Sequence, residues 1–140
     1  MKKPMVYQKD RKIELLDSGN YNGYNYAIFS YGTHPCAYVE IPKDNPCYKL
    51  KEDKLEDLIS CHWGITYYRN FNSKGKEHSP HIYDVFGKAK VIGWDYAHCY
   101  DYAGYYAEEN NPYFESLKKW TTEEIFEEVV DVIRRLKEAV

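Results

Sequence analysis

Tyr24-Asn-Tyr-Ala-Ile-Phe-Ser-Tyr31 and, beyond a short connection, Cys36-Ala-Tyr-Val-Glu-Ile41 are the two runs whose reading decides the fold. The first is aromatic and β-branched and is closed by Gly32. The second lies between Pro35 and Pro42 and sets Ala37, Val39 and Ile41 against Cys36, Tyr38 and Glu40. A two-residue period places alternate side chains on opposite faces, as a strand does and a helix does not. Two such runs joined by the Tyr31-Gly32-Thr33-His34-Pro35 stretch predict an antiparallel hairpin.

Downstream, Tyr48 to Leu58 is rich in Lys, Glu and Asp, with Leu50, Leu55 and Leu58 on one helical side, and predicts a short helix. Ile59 to Tyr68 then alternates, with Ile59, Cys61, Trp63, Ile65 and Tyr67 on one face, and reads as the central strand. Asn70 to Pro80 is polar and reads as a mobile loop, followed by strands at Ile82 to Phe86 and Lys90 to Tyr96 around Gly87. From Tyr96 to Pro112 the pattern dissolves into an irregular, Tyr-rich stretch, a kind of segment that is usually functional when it is not disordered. Thr121 and Glu124 then form a capping box, with Trp120 and Ile125 placed as a hydrophobic staple. Ile125, Val129, Val132, Ile133, Leu136 and Val140 come next at helical spacing. The fold class is therefore α+β: an antiparallel β-sheet of four to five strands, one C-terminal amphipathic helix and a Tyr-rich loop.

Composition bounds the rest. Leu, Ile, Val and Phe total 29 of 140 residues, and Tyr alone contributes 16. So small an aliphatic supply needs buried Tyr rings to provide apolar area, and it supports one core, hence a single domain over residues 1–140. A net charge of −3 with pI near 6.0 argues against a nucleic-acid polymer as partner, since phosphate backbones are held by clustered Lys and Arg. Residues 59–90 are modestly basic and 91–140 acidic, which leaves the middle segment for a small anion. No apolar run reaches the roughly 18 residues of a membrane span, and Met1-Lys2-Lys3-Pro4 does not open a signal peptide. A cytoplasmic protein without membrane contact is expected. Cys36, Cys47, Cys61 and Cys99 are widely spaced with no C-x-x-C pair, so reduced thiols are expected in place of a zinc site or disulfide framework.

Two clusters carry the chemistry: Cys61-His62-Trp63-Gly64-Ile65-Thr66-Tyr67-Tyr68-Arg69 and Ile92-Gly93-Trp94-Asp95-Tyr96-Ala97-His98-Cys99-Tyr100-Asp101-Tyr102. Gly64 and Gly93 interrupt strand-like runs, where a missing side chain marks a bulge or a close approach to the backbone. If the strands pair, His62, Asp95 and His98 share one end of the sheet. His62-Trp63-Gly64-Ile65-Thr66 and Gly93-Trp94-Asp95-x-Ala97-His98-x-x-Asp101-Tyr102 together resemble a motif pair of a small bacteriophage protein family. In that pattern the position of Trp63 is usually Gly. The likeness covers about residues 34–105, more loosely the C-terminal helix, and implies a phage origin and a host-cell cytoplasmic location. Small phage proteins of this kind include sponges for the nucleotide signals of bacterial immunity, so the resemblance implies, by analogy, an anti-defence protein.

Three functions are expected. The first is a sponge that sequesters a cyclic dinucleotide or cyclic ADP-ribose type signal without turnover. In it Trp63, Tyr67, Trp94 and Tyr102 stack or wall a pocket, while His62, Asp95, His98 and Asp101 make polar contacts. Arg69, with Lys88 and Lys90 nearby, faces phosphate. No catalytic residue, metal or cofactor belongs to that reading, and a homo-oligomer is expected, because a thin core and an amphipathic helix gain from burial between subunits. The second is a metal-dependent nucleotide hydrolase, in which Asp95, His98, Asp101 and His62 hold a divalent cation. The third is a protein-binding inhibitor of a host enzyme, since exposed Tyr among Asn, Gly and Asp is the composition of adaptable interaction surfaces. His34, His78 and His81 are expected in turns and loops, the last two exposed to solvent.

Overall fold

The structure is a computed structural model that describes residues 2–70, 78–104 and 116–140. Five antiparallel strands form one sheet in the order β1-β2-β3-β5-β4. They are β1 (Glu14–Tyr21), β2 (Tyr24–Ser30), β3 (Pro35–Ile41), β4 (Tyr67–Asn70) and β5 (Lys90–Asp95). Among the described residues three α-helices accompany them: α1 (Glu52–Leu58), α2 (Pro80–Phe86) and α3 (Thr122–Glu138). The expected α+β architecture is therefore present. None of the described helices is long and apolar enough to cross a membrane.

The opening hairpin is β2 and β3, paired from Tyr26↔Val39 to Ser30↔Pro35. Alternation sorts its side chains as the sequence predicts. Ile28, Ala37, Val39 and Ile41 face α3, and Ala27, Phe29, Cys36 and Tyr38 face α2. α3 begins with both bonds of the capping box, Glu124 N–H to Thr121 Oγ1 at 3.2 Å and Thr121 N–H to Glu124 Oε1 at 3.0 Å. Its Ile125, Val129, Val132, Ile133 and Leu136 are fully buried on the sheet of their own chain.

Three expectations are corrected, and one strand is added. Ile59 to Tyr68 is not the central strand: only Tyr67–Asn70 is a strand, and it lies at the sheet edge. The preceding residues turn, because Trp63 and Gly64 sit at φ 58° and 86° and Gly64 N–H closes on Cys61 O at 3.0 Å. Left-handed backbone ends a strand, although the side-chain pattern ahead of it still alternates. Ile82 to Phe86 belongs to a helix, α2, with Pro80 in its first turn and Gly87 at its C-cap at φ 62°. The helix expected over Tyr48 to Leu58 is split into a 3₁₀ turn at Pro46–Lys49 and α1, since Leu50 is extended at ψ 145°. β1 was unforeseen; it joins β2 through Asn22 and Gly23, both at positive φ as a two-residue hairpin turn requires. Residues 71–77 of the expected loop and 105–112 of the Tyr-rich stretch lie outside the described residues.

Ahead of β1, residues 2–13 run along the sheet edge and end as an N-terminal strap. Lys3 N–H to Leu16 O at 2.7 Å, Gln8 N–H to Gly32 O at 2.7 Å and Lys12 N–H to Tyr31 O at 3.0 Å hold it there. Thr122 at the start of α3 donates its hydroxyl to Lys3 O at 2.6 Å. The strap brings Arg11 and Ile13 over β2.

Candidate functional site

Two arrangements compete for the role of site: a hydrogen-bonded knot at one end of the sheet and a cleft on its α2 face. The knot is centred on Asp101, only 4% exposed. Its Oδ2 accepts from His62 Nε2 at 2.7 Å and from the His98 N–H at 3.0 Å, and its Oδ1 accepts from Trp120 Nε1 at 2.9 Å. A carboxylate removed from water has to be supplied with donors in this way. The His62 ring stacks on Tyr96 at 4.6 Å and meets the Trp120 ring at 5.0 Å. Tyr96, fully buried, bonds Glu128 of α3 and receives the Trp94 indole N–H at 3.0 Å. His62, Asp101 and Trp120 thus tie the turn after α1, the loop after β5 and the approach to α3 into one body.

His98 and Asp95 stand beside the knot. His98 Nε2 is 2.9 Å from Asp95 Oδ1, close enough for an ion pair but without hydrogen-bond alignment. Asp95 Oδ1 also accepts from Ala97 N–H at 3.2 Å, and Oδ2 from the Thr66 hydroxyl at 3.3 Å. The Trp63 ring stacks on His98 at 5.6 Å while remaining 58% exposed. Its φ of 58° lies in the left-handed region that favours glycine.

The cleft has a volume of about 380 Å³ and opens between β3, β4 and β5, the strap and α2. Tyr31, Tyr38 and Tyr67 line it together with His34, His81, Arg11, Thr66 and Asp95. The rings are fixed through their polar ends. Tyr31 OH lies 2.6 Å from both Tyr38 OH and His81 Nε2, and Tyr67 OH lies 2.6 Å from His78 Nδ1. His78 Nε2 in turn donates to Ala89 O at 2.6 Å. Gly93 lets this happen: a Cβ there would stand 2.5 Å from Tyr38 Cδ1 and 2.8 Å from Ala37 O. The bare backbone noticed in the sequence is therefore covered by a Tyr ring of the same sheet.

Burial sets the protonation of these walls. It pushes the phenols of Tyr31 and Tyr67 up to about 12 and that of Tyr38 higher still, so all three remain neutral hydrogen-bonding groups. It lowers His34 and His81 below the ordinary imidazole value. The Cys36 thiol on the cleft wall is raised by burial, and that of Cys61 is raised to about 12 by burial and then by Glu128 and Glu56. Neither is activated as a nucleophile.

The sequence-predicted residues divide between the two arrangements. Asp95 belongs to both, Tyr67 and Trp94 line the cleft, and His62, His98 and Asp101 form the knot with Trp63 beside it. Trp94 is 1% exposed and packs in the α3-side core, so its ring is no open stacking platform. Arg69 donates to Tyr68 O at 2.9 Å and covers the Tyr67 ring outside the cleft lining. Tyr102 packs edge-on to Tyr7 at 5.3 Å with Lys119 over it. Lys90 does not face phosphate: it is 2% exposed, and its ammonium donates to the carbonyls of Tyr48 and, at 2.8 Å, of Leu50. His78 is buried and His81 half-buried, against the expectation of exposure. Among the described residues no group of three or more His, Cys, Asp or Glu is placed to hold a metal ion; His62 with Asp101 and His98 with Asp95 pair off instead.

Arg11, Tyr31, His34, Tyr38 and His81 were not foreseen as cleft residues. The Ser79-Pro80 and Gly87 punctuation is a helix start and stop that would have placed His81 on a helix beside the sheet. Nothing in the local sequence marks Arg11. The chain matches no protein-family model, no curated protein and no solved structure.

Proposed function

We propose that this chain is a binding protein that sequesters a small nucleotide-derived ligand in the α2-face cleft without turning it over. The observation that carries the reading is the cleft itself, lined by Tyr rings together with an arginine and a carboxylate. Such a lining, mostly ring surface with a few convergent polar groups, suits a base, a sugar and an anionic group. Binding without turnover is supported by the state of the reactive groups. The Cys36 thiol on the cleft wall is raised by burial and held protonated, and His62 Nε2 is engaged by Asp101. The motif resemblance extends the reading to an immune signal intercepted by a phage protein.

The purified chain, incubated with cyclic dinucleotides, ADP-ribose derivatives and mononucleotides, is expected to deplete one of them and release it unchanged on denaturation. An altered product would replace sequestration by hydrolysis, and no depletion of any nucleotide would sink the reading. A protein-binding inhibitor is a second reading, favoured by Trp63 and Tyr100, exposed by 58% and 70% on left-handed backbone. Recovery of a host enzyme at equal stoichiometry, lost in Trp63→Ala, would select it.

A further inference from the structure

We infer that the cleft is matched to a ligand with one sugar-phosphate unit, a nucleoside monophosphate in chemical class, whose phosphate meets Arg11 and whose ribose hydroxyls meet Asp95 and Thr66. This rests on the binding reading and narrows it. Size is the first argument: about 380 Å³ falls near the lower end of the roughly 300–1,000 Å³ typical of small-molecule sites. A cyclic dinucleotide brings two bases and two sugar-phosphate units to a space of that order. Charge is the second. Arg11 is the only Lys or Arg among the described residues lining the cleft. Its guanidinium stands 5.6 Å over the Tyr31 ring, and no ion pair with a carboxylate is found for it among the described residues. His34 and His81, held low by burial, add hydrogen bonds without adding fixed charge. One fixed cation complements one phosphate.

Asp95 and Thr66 supply acceptors. Asp95 is partly exposed, and its oxygens already receive Ala97 N–H and the Thr66 hydroxyl. An ionised carboxylate has about four lone-pair sites, so capacity remains for a ligand hydroxyl. Along the cleft wall, the hydroxyls of Tyr31, Tyr38 and Tyr67 are taken up by one another or by imidazoles, which leaves ring surface toward the ligand. Arg11 is kept in place from its own backbone, because the strap is fastened on either side of it by Gln8 to Gly32 and Lys12 to Tyr31.

Isothermal titration of the full chain tests this with the common ribonucleoside 5′-monophosphates, the matching nucleosides, cyclic di-AMP and cyclic di-GMP. One monophosphate is expected to bind once per chain, and its nucleoside about 10- to 100-fold more weakly, the range for loss of a charge-assisted hydrogen bond. Arg11→Met should weaken the monophosphate by that factor and leave the nucleoside unchanged, while Arg11→Lys restores most of the loss. A cyclic dinucleotide bound once per chain as tightly as any monophosphate would overturn the size and charge match and leave the binding reading standing. Equal weakening of monophosphate and nucleoside by Arg11→Met would overturn the anion role. Failure of every nucleotide would overturn the binding reading itself.

Discussion

On the α3 face of the sheet, Ile125, Val129, Val132, Ile133 and Leu136 meet Ile28, Ala37, Val39, Ile41 and Ile92, and all of them are buried. On the α2 face, Tyr31, Tyr38 and Tyr67 meet His78 and His81, with Ile82 and Phe86 as the main aliphatic and apolar aromatic cover. The first surface is mainly aliphatic and closes by packing, and its few buried polar ends are paired, Trp94 with Tyr96 and Tyr96 with Glu128. The second must partner every hydroxyl and ring nitrogen it buries, and its bonds orient the rings around a space that stays open. Most of the aliphatics thus go to the α3 face, where Tyr24, Tyr26 and Tyr96 share the burial, while on the α2 face the Tyr rings wall a cleft.

That contrast can be broken or sharpened by substitution. Leu136→Ala on the α3 face is expected to lower the unfolding free energy by about 2–5 kcal/mol, read by urea denaturation, because a packed aliphatic leaves a cavity. Gly93→Ala is expected to cost about 1–3 kcal/mol and to displace Tyr38, since the new methyl meets that ring at 2.5 Å and a backbone oxygen at 2.8 Å. Tyr31→Phe removes the shared partner of Tyr38 OH and His81 Nε2, at about 1–2 kcal/mol with near-native secondary structure by circular dichroism. A loss as large as that of Leu136→Ala would mean that the α2 face is closed by packing after all.

The smallest effect is with pH, and it belongs to the α2 face. His34 and His81 titrate lower in the fold than the free-imidazole value of about 6.5, so the unfolded chain binds more protons in the window between. Their contribution is fully present above about pH 6.5 and is lost as pH falls through 6.5 toward the lowered values. The urea midpoint should therefore decline from pH 7.5 to 5.5, and less steeply in His81→Gln. An unchanged slope in that variant would remove His81 from the account.

The same contrast explains what could be read in the chain. β2, β3, β5 and α3 are legible because each has a face against aliphatic core, which writes a period of two or of helical spacing into Ala37-Val39-Ile41 or Ile125-Val129-Val132. β1 carries Asp17-Ser18-Gly19-Asn20 and shows no such period; Asn22-Gly23 was the signal that would have found it. α2 is a single pair of turns whose Ile82 and Phe86 read equally well as strand, and only Pro80 and Gly87 tell them apart. At the site, His62, Asp95, His98 and Asp101 were visible as chemically capable residues and do converge, but mainly on one another. The cleft joins a strap, three strands and a helix, so Arg11 and His81 reach it by tertiary contacts that no local pattern encodes.

The most direct test of the account is an amide footprint of ligand binding on the isotope-labelled chain, titrated with the nucleotide that binds best. Shifts confined to the cleft margins, at Arg11, Tyr31, Thr66 and Asp95, with Val129, Val132 and Leu136 of α3 unmoved, are the predicted result. Shifts centred on Trp63 and Tyr100, or on α3, or no shifts with any nucleotide, would contradict it.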